Sequence, residues 1–284
     1  MNFVVFNNCP DHVYNFTDCD VTYLAGQAVY IGGGGAGCTV NMDGVTTVDN
    51  GNKIIQDDPG NTTATITNSA FTGTQGLVSA MIHMKAGSSL TMDSVTMTGG
   101  FWNLVTCLAG STLDMTNCYL NGGDIVVSAQ GEVTMEHCTI VQVVDNPNVC
   151  LYTPNATALS SVTNCIFYNS KAGAQATNLT ADVVADYNMR YAETLRGGGV
   201  VGAHDIDLAF GVDDPGFVAV AASADAGDYH LTALSPACNA GTDLGVLVDI
   251  EGSTRPMPVG SAPDLGAFEE QTAAGTAVSD WALY

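Results

Sequence analysis

A short motif recurs along the first two thirds of the chain and limits its fold more than any other feature. The segments LTMDSVTMTGG (90–100) and LDMTNCYLNGG (113–123) share a skeleton of leucine, methionine, polar residues, spaced apolar residues and paired glycines. Related segments start at Phe16, Met42, Ile66, Met92, Met115, Met135, Val162 and Val184, in steps of 20 to 27 residues. A period of this length with strand-like alternation is typical of a solenoid.

Each repeat predicts two or three short strands joined by tight corners. The apolar–polar alternation of SLTMDSVTM shifts at the polar pair Asp93-Ser94, so this pair predicts a corner. A second apolar stretch precedes each motif: AVYI (28–31), KII (53–55), AMIHM (80–84), NLVTCL (103–108), DIVV (124–127) and VCLY (149–152). Glycine and asparagine punctuate the strands, and helix signals are nearly absent. Units stacked about 4.8 Å apart predict an all-β parallel β-solenoid of about seven or eight coils over residues 1–190.

The repeat also predicts two columns of side chains along the coil. The corner column holds residues that tolerate a left-handed backbone: Asp18, Gly44, Asn68, Ser94, Asn117, His137, Asn164 and Asp186. The inward column holds Cys19, Val45, Ser69, Val95, Cys118, Cys138, Cys165 and Tyr187. None of the nine cysteines forms a CxxC pair, so no zinc site is predicted. We interpret the stacked cysteines as free thiols, with a disulfide between neighbouring coils as the alternative.

The charge balance excludes several classes of function. The chain carries 29 acidic and six basic residues, for a net charge of -23. It would repel phosphate backbones and anionic membranes, so we exclude nucleic-acid binding, and an anionic polysaccharide would need a bridging cation. No apolar run of about 18 residues predicts a transmembrane helix. The first residues, MNFVVFNNCPDHVYNF, lack the basic region and cleavage site of a signal peptide.

The last third of the chain carries a different set of motifs. In order, these are Asp214-Pro215-Gly216-Phe217, Tyr229-His230-Leu231, Ser235-Pro236-Ala237-Cys238-Asn239-Ala240-Gly241, Arg255-Pro256 and Asp264-Leu265-Gly266-Ala267-Phe268-Glu269. Together with the repeats, they resemble bacterial surface proteins that have a right-handed parallel β-helix and a choice-of-anchor-type C-terminal region. The chain departs from that pattern at Cys238-Asn239, where the family usually has Ile-Asp.

The resemblance implies right-handed coils, a cap formed by irregular coils over residues 191–270, and an extracellular or cell-surface location. Arg255 is one of only three arginines, and we expect it to pair with Asp264 or Glu269 as a structural lock. Residues 271–284 are interpreted as a tail that either frays or docks as a strand. Four glycosylation sequons, whose use depends on the host, start at Asn15, Asn61, Asn155 and Asn178.

Few residues could support the chemistry of a β-helix enzyme. A polysaccharide lyase needs a base, often Arg or Lys, and usually Ca²⁺ held by acids. Arg190 and Arg196 are the candidate bases. The candidate Ca²⁺ ligands lie in HDIDLAFGVDD: Asp205, Asp207, Asp213 and Asp214. The acids Asp57-Asp58 have no acidic counterparts in the following repeats, so the pattern does not indicate a glycoside hydrolase.

These observations favour an extracellular, non-enzymatic structural β-helix that is surface-exposed, adhesin-like or filament-forming. The expected partners are further copies of the chain, cell-surface or matrix components, or a polysaccharide; no cofactor is predicted, and Ca²⁺ is the one ion that the acids admit. The apolar FVVF (3–6) predicts that upstream residues or a neighbouring molecule cover the first coil. The alternative is a polysaccharide lyase, a glycoside hydrolase or a carbohydrate-binding module on the same fold.

Overall fold

In the computed structural model, successive coils stack along one axis, and their strands form three parallel β-sheets, in agreement with the repeat. The structure describes residues 4–7, 12–22, 29–32, 38–48, 53–58, 60–73, 80–99, 102–142, 148–156, 159–199, 202–220 and 227–271. Every regular element within these ranges is a β-strand.

The strands are short, and they follow one another with brief connections. The first coils contain β1 (Val4–Asn7), β2 (Val13–Thr17), β3 (Asp20–Thr22), β4 (Val29–Gly32), β5 (Thr39–Asp43), β6 (Thr46–Val48), β7 (Ile55–Asp57), β8 (Thr63–Thr67) and β9 (Ala70–Gly73). The middle coils contain β10 (Ile82–Met84), β11 (Ser89–Asp93), β12 (Thr96–Gly99), β13 (Asn103–Cys107), β14 (Thr112–Thr116), β15 (Tyr119–Gly122), β16 (Ile125–Ala129), β17 (Glu132–Glu136) and β18 (Thr139–Gln142). The remainder contains β19 (Val149–Thr153), β20 (Ser161–Thr163), β21 (Ile166–Asn169), β22 (Gln175–Leu179), β23 (Val184–Asp186), β24 (Met189–Ala192), β25 (Thr194–Arg196), β26 (Ile206–Ala209), β27 (Phe217–Ala219) and β28 (Asp228–Leu231).

Each of the first eight coils contributes one strand to each of the three sheets, and the last coil contributes to sheets A and C only. Sheet A has the order β1-β4-β7-β10-β13-β16-β19-β22-β25, sheet B the order β2-β5-β8-β11-β14-β17-β20-β23, and sheet C the order β3-β6-β9-β12-β15-β18-β21-β24-β26. The predicted apolar stretches upstream of the motifs form strands of sheet A, and the motifs themselves form sheets B and C. The parallel β-solenoid is therefore confirmed, and eight or nine strands per sheet are close to the predicted number of coils.

The interior of the solenoid is a column of apolar side chains that repeats from coil to coil. Leu90 pairs in register with Leu113, and Met92 with Met115. All four side chains are buried in one continuous hydrophobic cluster. Because residues in register lie directly above one another, each apolar residue is covered by its counterpart in the next coil.

The corner between sheets B and C has a left-handed backbone, as the corner column predicts. The first seven predicted residues, from Asp18 to Asn164, have φ between 48° and 64°. In the last coil the prediction is wrong by one position, because Tyr187 rather than Asp186 has the positive φ of 56°. Thr163 aligns with Asp186, so Asn188 takes the inward place beside Cys165. The buried Asn188 amide accepts a hydrogen bond from Cys165 N at 2.9 Å, whereas the larger Tyr187 stacks outside on His204.

The inward cysteines are free thiols. All eight cysteines in the described part of the chain are free, and six of them are buried. Cys118 Sγ donates to Thr116 O at 3.2 Å, and Cys138 Sγ donates to Glu136 O at 3.3 Å. Each thiol therefore satisfies a carbonyl of its own corner while it packs as a small apolar residue.

The glycines that end the two repeated segments allow neighbouring coils to approach closely. Gly99 and Gly122 end β12 and β15 with φ of 154° and 121°. A Cβ atom on Gly122 would lie 1.7 Å from Gly99 O. Any side chain at Gly122 would therefore push the two coils apart.

A second hydrophobic core lies on the outer face of sheet C. In β6, β9 and β12 that face carries Thr46, Ala70 and Thr96. In the later strands it becomes apolar, with Val141, Ile166, Tyr168 and Met189. These residues pack against the chain that follows β26, which we call the C-terminal segment, through Phe217, Tyr229, Leu231 and Leu265. Tyr168, for example, packs edge-on against Phe217 with ring centroids 5.4 Å apart.

The C-terminal segment also follows the corner column along the side of the solenoid. Asn117 Nδ2 donates to Val248 O at 3.0 Å, and Asn164 Nδ2 donates to Thr242 O at 2.7 Å. These contacts attach the segment to two coils of the solenoid that are separated by one further coil. The right-handed sense of the coils, the domain limits and the capping role stay predictions, and the tail beyond residue 271 lies outside the described residues.

Candidate functional site

The two candidate arginines and two of the four candidate acids come together in the structure. Arg190 Nη1 lies 2.8 Å from Asp205 Oδ2 and 3.5 Å from Asp207 Oδ1. Arg196 forms an ion pair with Asp207 and lies 4.0 Å from Asp205 Oδ2. The side chains of Arg190 and Asp205 are 1% and 0% exposed. We call these four residues the end cluster.

The end cluster occupies the interior of the last coil. Arg190 pairs in register with the core residue Phe167, and Arg196 pairs with Thr177 in sheet A. The apolar column of the solenoid thus ends in two arginines that are neutralised by two carboxylates. A buried arginine of this kind is held by its ion pairs and is poorly placed to remove a proton from a substrate.

The other two candidate Ca²⁺ ligands lie apart from the end cluster. Asp213 Oδ2 accepts a hydrogen bond from Ala209 N at 2.6 Å, and Asp214 Oδ1 accepts one from Gly216 N at 2.8 Å. Both carboxylates therefore stabilise turns that follow β26. Within the described ranges, no group of three or more His, Cys, Asp or Glu side chains is arranged to hold a metal ion.

Arg255 lies in a second buried polar network, on the side of the C-terminal segment that faces the solenoid. Its Nε lies 3.4 Å from Glu269 Oε2, so the expected pairing with Glu269 is confirmed. Arg255 Nη1 also contacts the ring of His137, a corner residue of the solenoid. Glu269 accepts hydrogen bonds from Met257 N at 2.7 Å and from Asp264 N at 3.0 Å. Burial raises the pKa of Glu269 to about 7 and lowers the pKa of Arg255 to about 10.

Two of the three lysines of the chain meet a histidine on sheet A. Lys53 Nζ donates to Gln56 Oε1, and Gln56 Nε2 donates to Asp58 Oδ1 at 2.6 Å. Gln56 Nε2 also lies 3.3 Å from His83 Nδ1. Lys85 Nζ lies 3.5 Å from Asp58 Oδ1.

The charges of this lysine–histidine group balance one another. Asp57 is fully buried below it and accepts hydrogen bonds from Ser88 Oγ at 2.6 Å and from the Lys85 backbone N–H at 3.1 Å. Burial lowers the pKa of His83, and the two neighbouring lysines lower it further, so the imidazole is neutral at pH 7. Two ammonium groups thus face two carboxylates, and the group has no net attraction for an anion.

A cavity of about 420 Å³ opens on the outside of sheet A, three coils further along. Its lining contains the polar side chains of Asn148, Tyr152, Gln175 and Asn178, with Ile125 and Val149 as the apolar part. Tyr152 and Asn178 lie in register on the neighbouring strands β19 and β22. Val149 and Gln175 are paired in the same way. The cavity is therefore built on rigid strands.

Sequence reasoning did not identify this cavity. Its residues come from three successive coils, and none of them belongs to a known motif. A signal was nevertheless present, because Tyr152 and Asn178 occupy matching outward positions of two repeats where neighbouring repeats have the smaller Thr106 and Ser128. Only the observed register shows that the amide and phenol groups share one opening.

No protein-family model matches the chain. No curated protein matches it either. The resemblance to choice-of-anchor surface proteins therefore stays a prediction that rests on the quoted motifs. In the described part of the structure, no helix has the length and apolar character to cross a membrane.

Proposed function

We propose that this chain is an extracellular, non-enzymatic structural module of a cell surface or matrix. The placement of the end cluster supports the proposal most directly. The arginines that a lyase would use as bases lie in ion pairs inside the last coil, where Arg190 is 1% exposed. In that position Arg190 is shielded from a polymer on the outside, and Arg196, which is 14% exposed, is held by Asp205 and Asp207.

The cysteines are compatible with an oxidising environment. Six of the eight described thiols are buried, and burial raises the pKa of Cys107 to about 12. Because an oxidant must reach the sulfur atom, burial protects these six thiols. Free cysteines in the described part of the chain are therefore compatible with a secreted location.

The end cluster also bears on how copies of the chain would assemble. Stacking a second solenoid on the last coil would bury Arg196 and Asp207, which are 14% and 31% exposed. Burial of an ion pair costs free energy unless new partners satisfy it. Self-association is therefore proposed to involve the first coil or the tail. Electron microscopy of the purified native protein tests whether copies of the chain assemble into filaments. Dispersed monomers would contradict filament formation.

The location is tested with intact cells of the native host. Added protease should degrade the protein without lysis, while a cytoplasmic marker stays intact. Protection of the protein until the cells are lysed would contradict the proposal.

The enzymatic alternative is tested with uronate polysaccharides and Ca²⁺, by the absorbance of unsaturated products. We expect no product from the wild-type protein. The Arg190→Ala variant, with Thr91→Ala on sheet B as its matched control, decides the case. Unsaturated product from the wild-type protein would establish a lyase. Loss of turnover in Arg190→Ala at an unchanged melting temperature, with turnover intact in Thr91→Ala, would assign Arg190 as the base.

A further inference from the structure

The cavity on sheet A has the composition of a ligand site. A volume of about 420 Å³ lies within the range of roughly 300–1,000 Å³ that small-molecule sites occupy. Four polar side chains line it: Asn148, Tyr152, Gln175 and Asn178. Within the described structure, none of these four side chains forms a hydrogen bond with another residue. Their donors and acceptors are therefore available to a ligand.

The described part of the lining favours an uncharged ligand. The described residues of the cavity include no charged side chain. Each amide supplies both donors and an acceptor, and Tyr152 supplies a hydroxyl and an aromatic ring. Groups of this kind suit a ligand rich in hydroxyl groups, while Ile125 and Val149 offer contact to its C–H surface. The net charge of -23 further disfavours an anionic ligand.

A peptide strand does not fit this position. Peptides that add a strand to a sheet need a free sheet edge. The cavity lies on the face of sheet A, where β19 is hydrogen-bonded on one side to β16 and on the other to β22. The backbone groups that would recognise a peptide are thus already paired.

The absence of a side chain at one glycine leaves room for two of the polar groups. Gly197 follows β25, and a Cβ atom on it would lie 2.8 Å from both Gln175 Oε1 and Asn178 Nδ2. The two amide groups therefore converge over the position of the missing side chain. Because both amides are ends of flexible side chains, an alanine would displace them and leave the strands in place.

We propose that this cavity binds one or two units of a neutral polysaccharide, through the amides of Asn148, Gln175 and Asn178 and the side chain of Tyr152. The sugar hydroxyls exchange hydrogen bonds with the amides, and one sugar face packs on the apolar part of the cavity. The proposal adds a ligand to the structural role and assigns no reaction to the site.

The test uses the full chain from a host that does not glycosylate the sequon at Asn178. The probes are hexasaccharides of β-1,4-glucose, α-1,4-glucose, β-1,3-glucose and β-1,4-mannose, with hexagalacturonate as the charged comparison. Calorimetry measures affinity, and NMR follows the side-chain amides of Gln175 and Asn178. At least one neutral hexasaccharide should bind, shift these amides and exceed hexagalacturonate in affinity.

Variants then test whether the neutral hexasaccharide binds in this cavity. Tyr152→Ala and Gln175→Ala should each weaken binding by about five- to tenfold, as expected for lost hydrogen bonds and packing. Gly197→Ala should weaken binding while the melting temperature is unchanged, which separates a displaced amide from a misfolded chain. Thr91→Ala on sheet B is the matched control and should bind like the wild type. The proposal is overturned if no neutral hexasaccharide shifts the amides, if hexagalacturonate binds more tightly, or if the cavity variants bind like the control.

Discussion

Arg255 and Glu269 form an ion pair whose two side chains are 0% exposed, with Arg255 Nε 3.4 Å from Glu269 Oε2. The pair lies between the C-terminal segment and the corner column, where Arg255 contacts His137. It therefore joins the last third of the chain to a coil more than one hundred residues earlier in the sequence. This relationship leads to the first two predictions.

Removal of the arginine should release the C-terminal segment. At pH 8, where Glu269 is mostly ionised, Arg255→Ala leaves its carboxylate buried without a partner, which typically costs about 3–5 kcal/mol. We expect a lower melting temperature and faster proteolysis between residues 232 and 271 than in the wild type. Lys171→Ala, which removes a half-buried basic side chain outside residues 232–271, serves as the control. An unchanged melting temperature would show that the pair is not a lock.

Stability of the C-terminal segment should fall as the pH rises from 5 to 8. Burial raises the pKa of Glu269 from 4.5 to about 7, so the folded state holds its proton more tightly than the unfolded state. The contribution is fully present below pH 4.5 and is lost as the pH rises through about 7. The pKa of His230 is also raised, by Asp228 and Glu251 against the effect of burial, and acts in the same direction.

Chemical denaturation at several pH values measures this dependence. Glu269→Gln should flatten the profile, because its side chain does not titrate. A profile of equal steepness in wild type and Glu269→Gln would contradict the assignment to Glu269.

The buried thiols should resist alkylation in the native protein. Burial keeps a reagent from the six buried sulfur atoms, and it raises the pKa of Cys150 and, to about 12, the pKa of Cys107. We expect iodoacetamide to leave the six buried cysteines unmodified and to modify them fully in guanidinium chloride. Mass spectrometry of digests identifies the sites. Rapid modification of Cys118 or Cys138 without denaturant would show that the coils open.

The left-handed corner should reject a β-branched residue. Ser94 has a φ of 56° between β11 and β12. Ser94→Val should cost about 1–3 kcal/mol, since the second branch on the valine Cβ clashes with the backbone in the left-handed region and serine has no such branch. Ser94→Asn, a residue that tolerates this conformation, should change the free energy of unfolding by less than about 0.5 kcal/mol. Equal unfolding free energies for the two variants would remove the corner as the cause.

Much of the solenoid could be predicted from local pattern because its contacts repeat. Leu90 lies over Leu113 in the structure, as the equal spacing of their motifs requires. Where the spacing changes, the prediction fails by a residue, as at Tyr187 and Asn188. Pairing of Arg255 with one of two acids could be anticipated because a chain with six basic residues offers few ways to neutralise a buried carboxylate.

The lateral position of the C-terminal segment could not be predicted from the motifs alone. The outward tyrosines of sheet C, such as Tyr168, show that something covers that face, but their sequence does not say what. The same holds for the end cluster: Arg190 and Asp205 are visible as charged residues, and only the fold shows that they face each other inside a coil.

By itself, the sequence determined the architecture: a parallel coil of short strands, with an apolar interior and left-handed corners. It could do so because each repeat contacts its nearest copies, and local periodicity therefore carries the information. Only the tertiary structure decided which outward side chains meet. Tyr152 and Gln175 belong to successive coils and share one cavity because strand register brings residues that are distant in sequence together on one face.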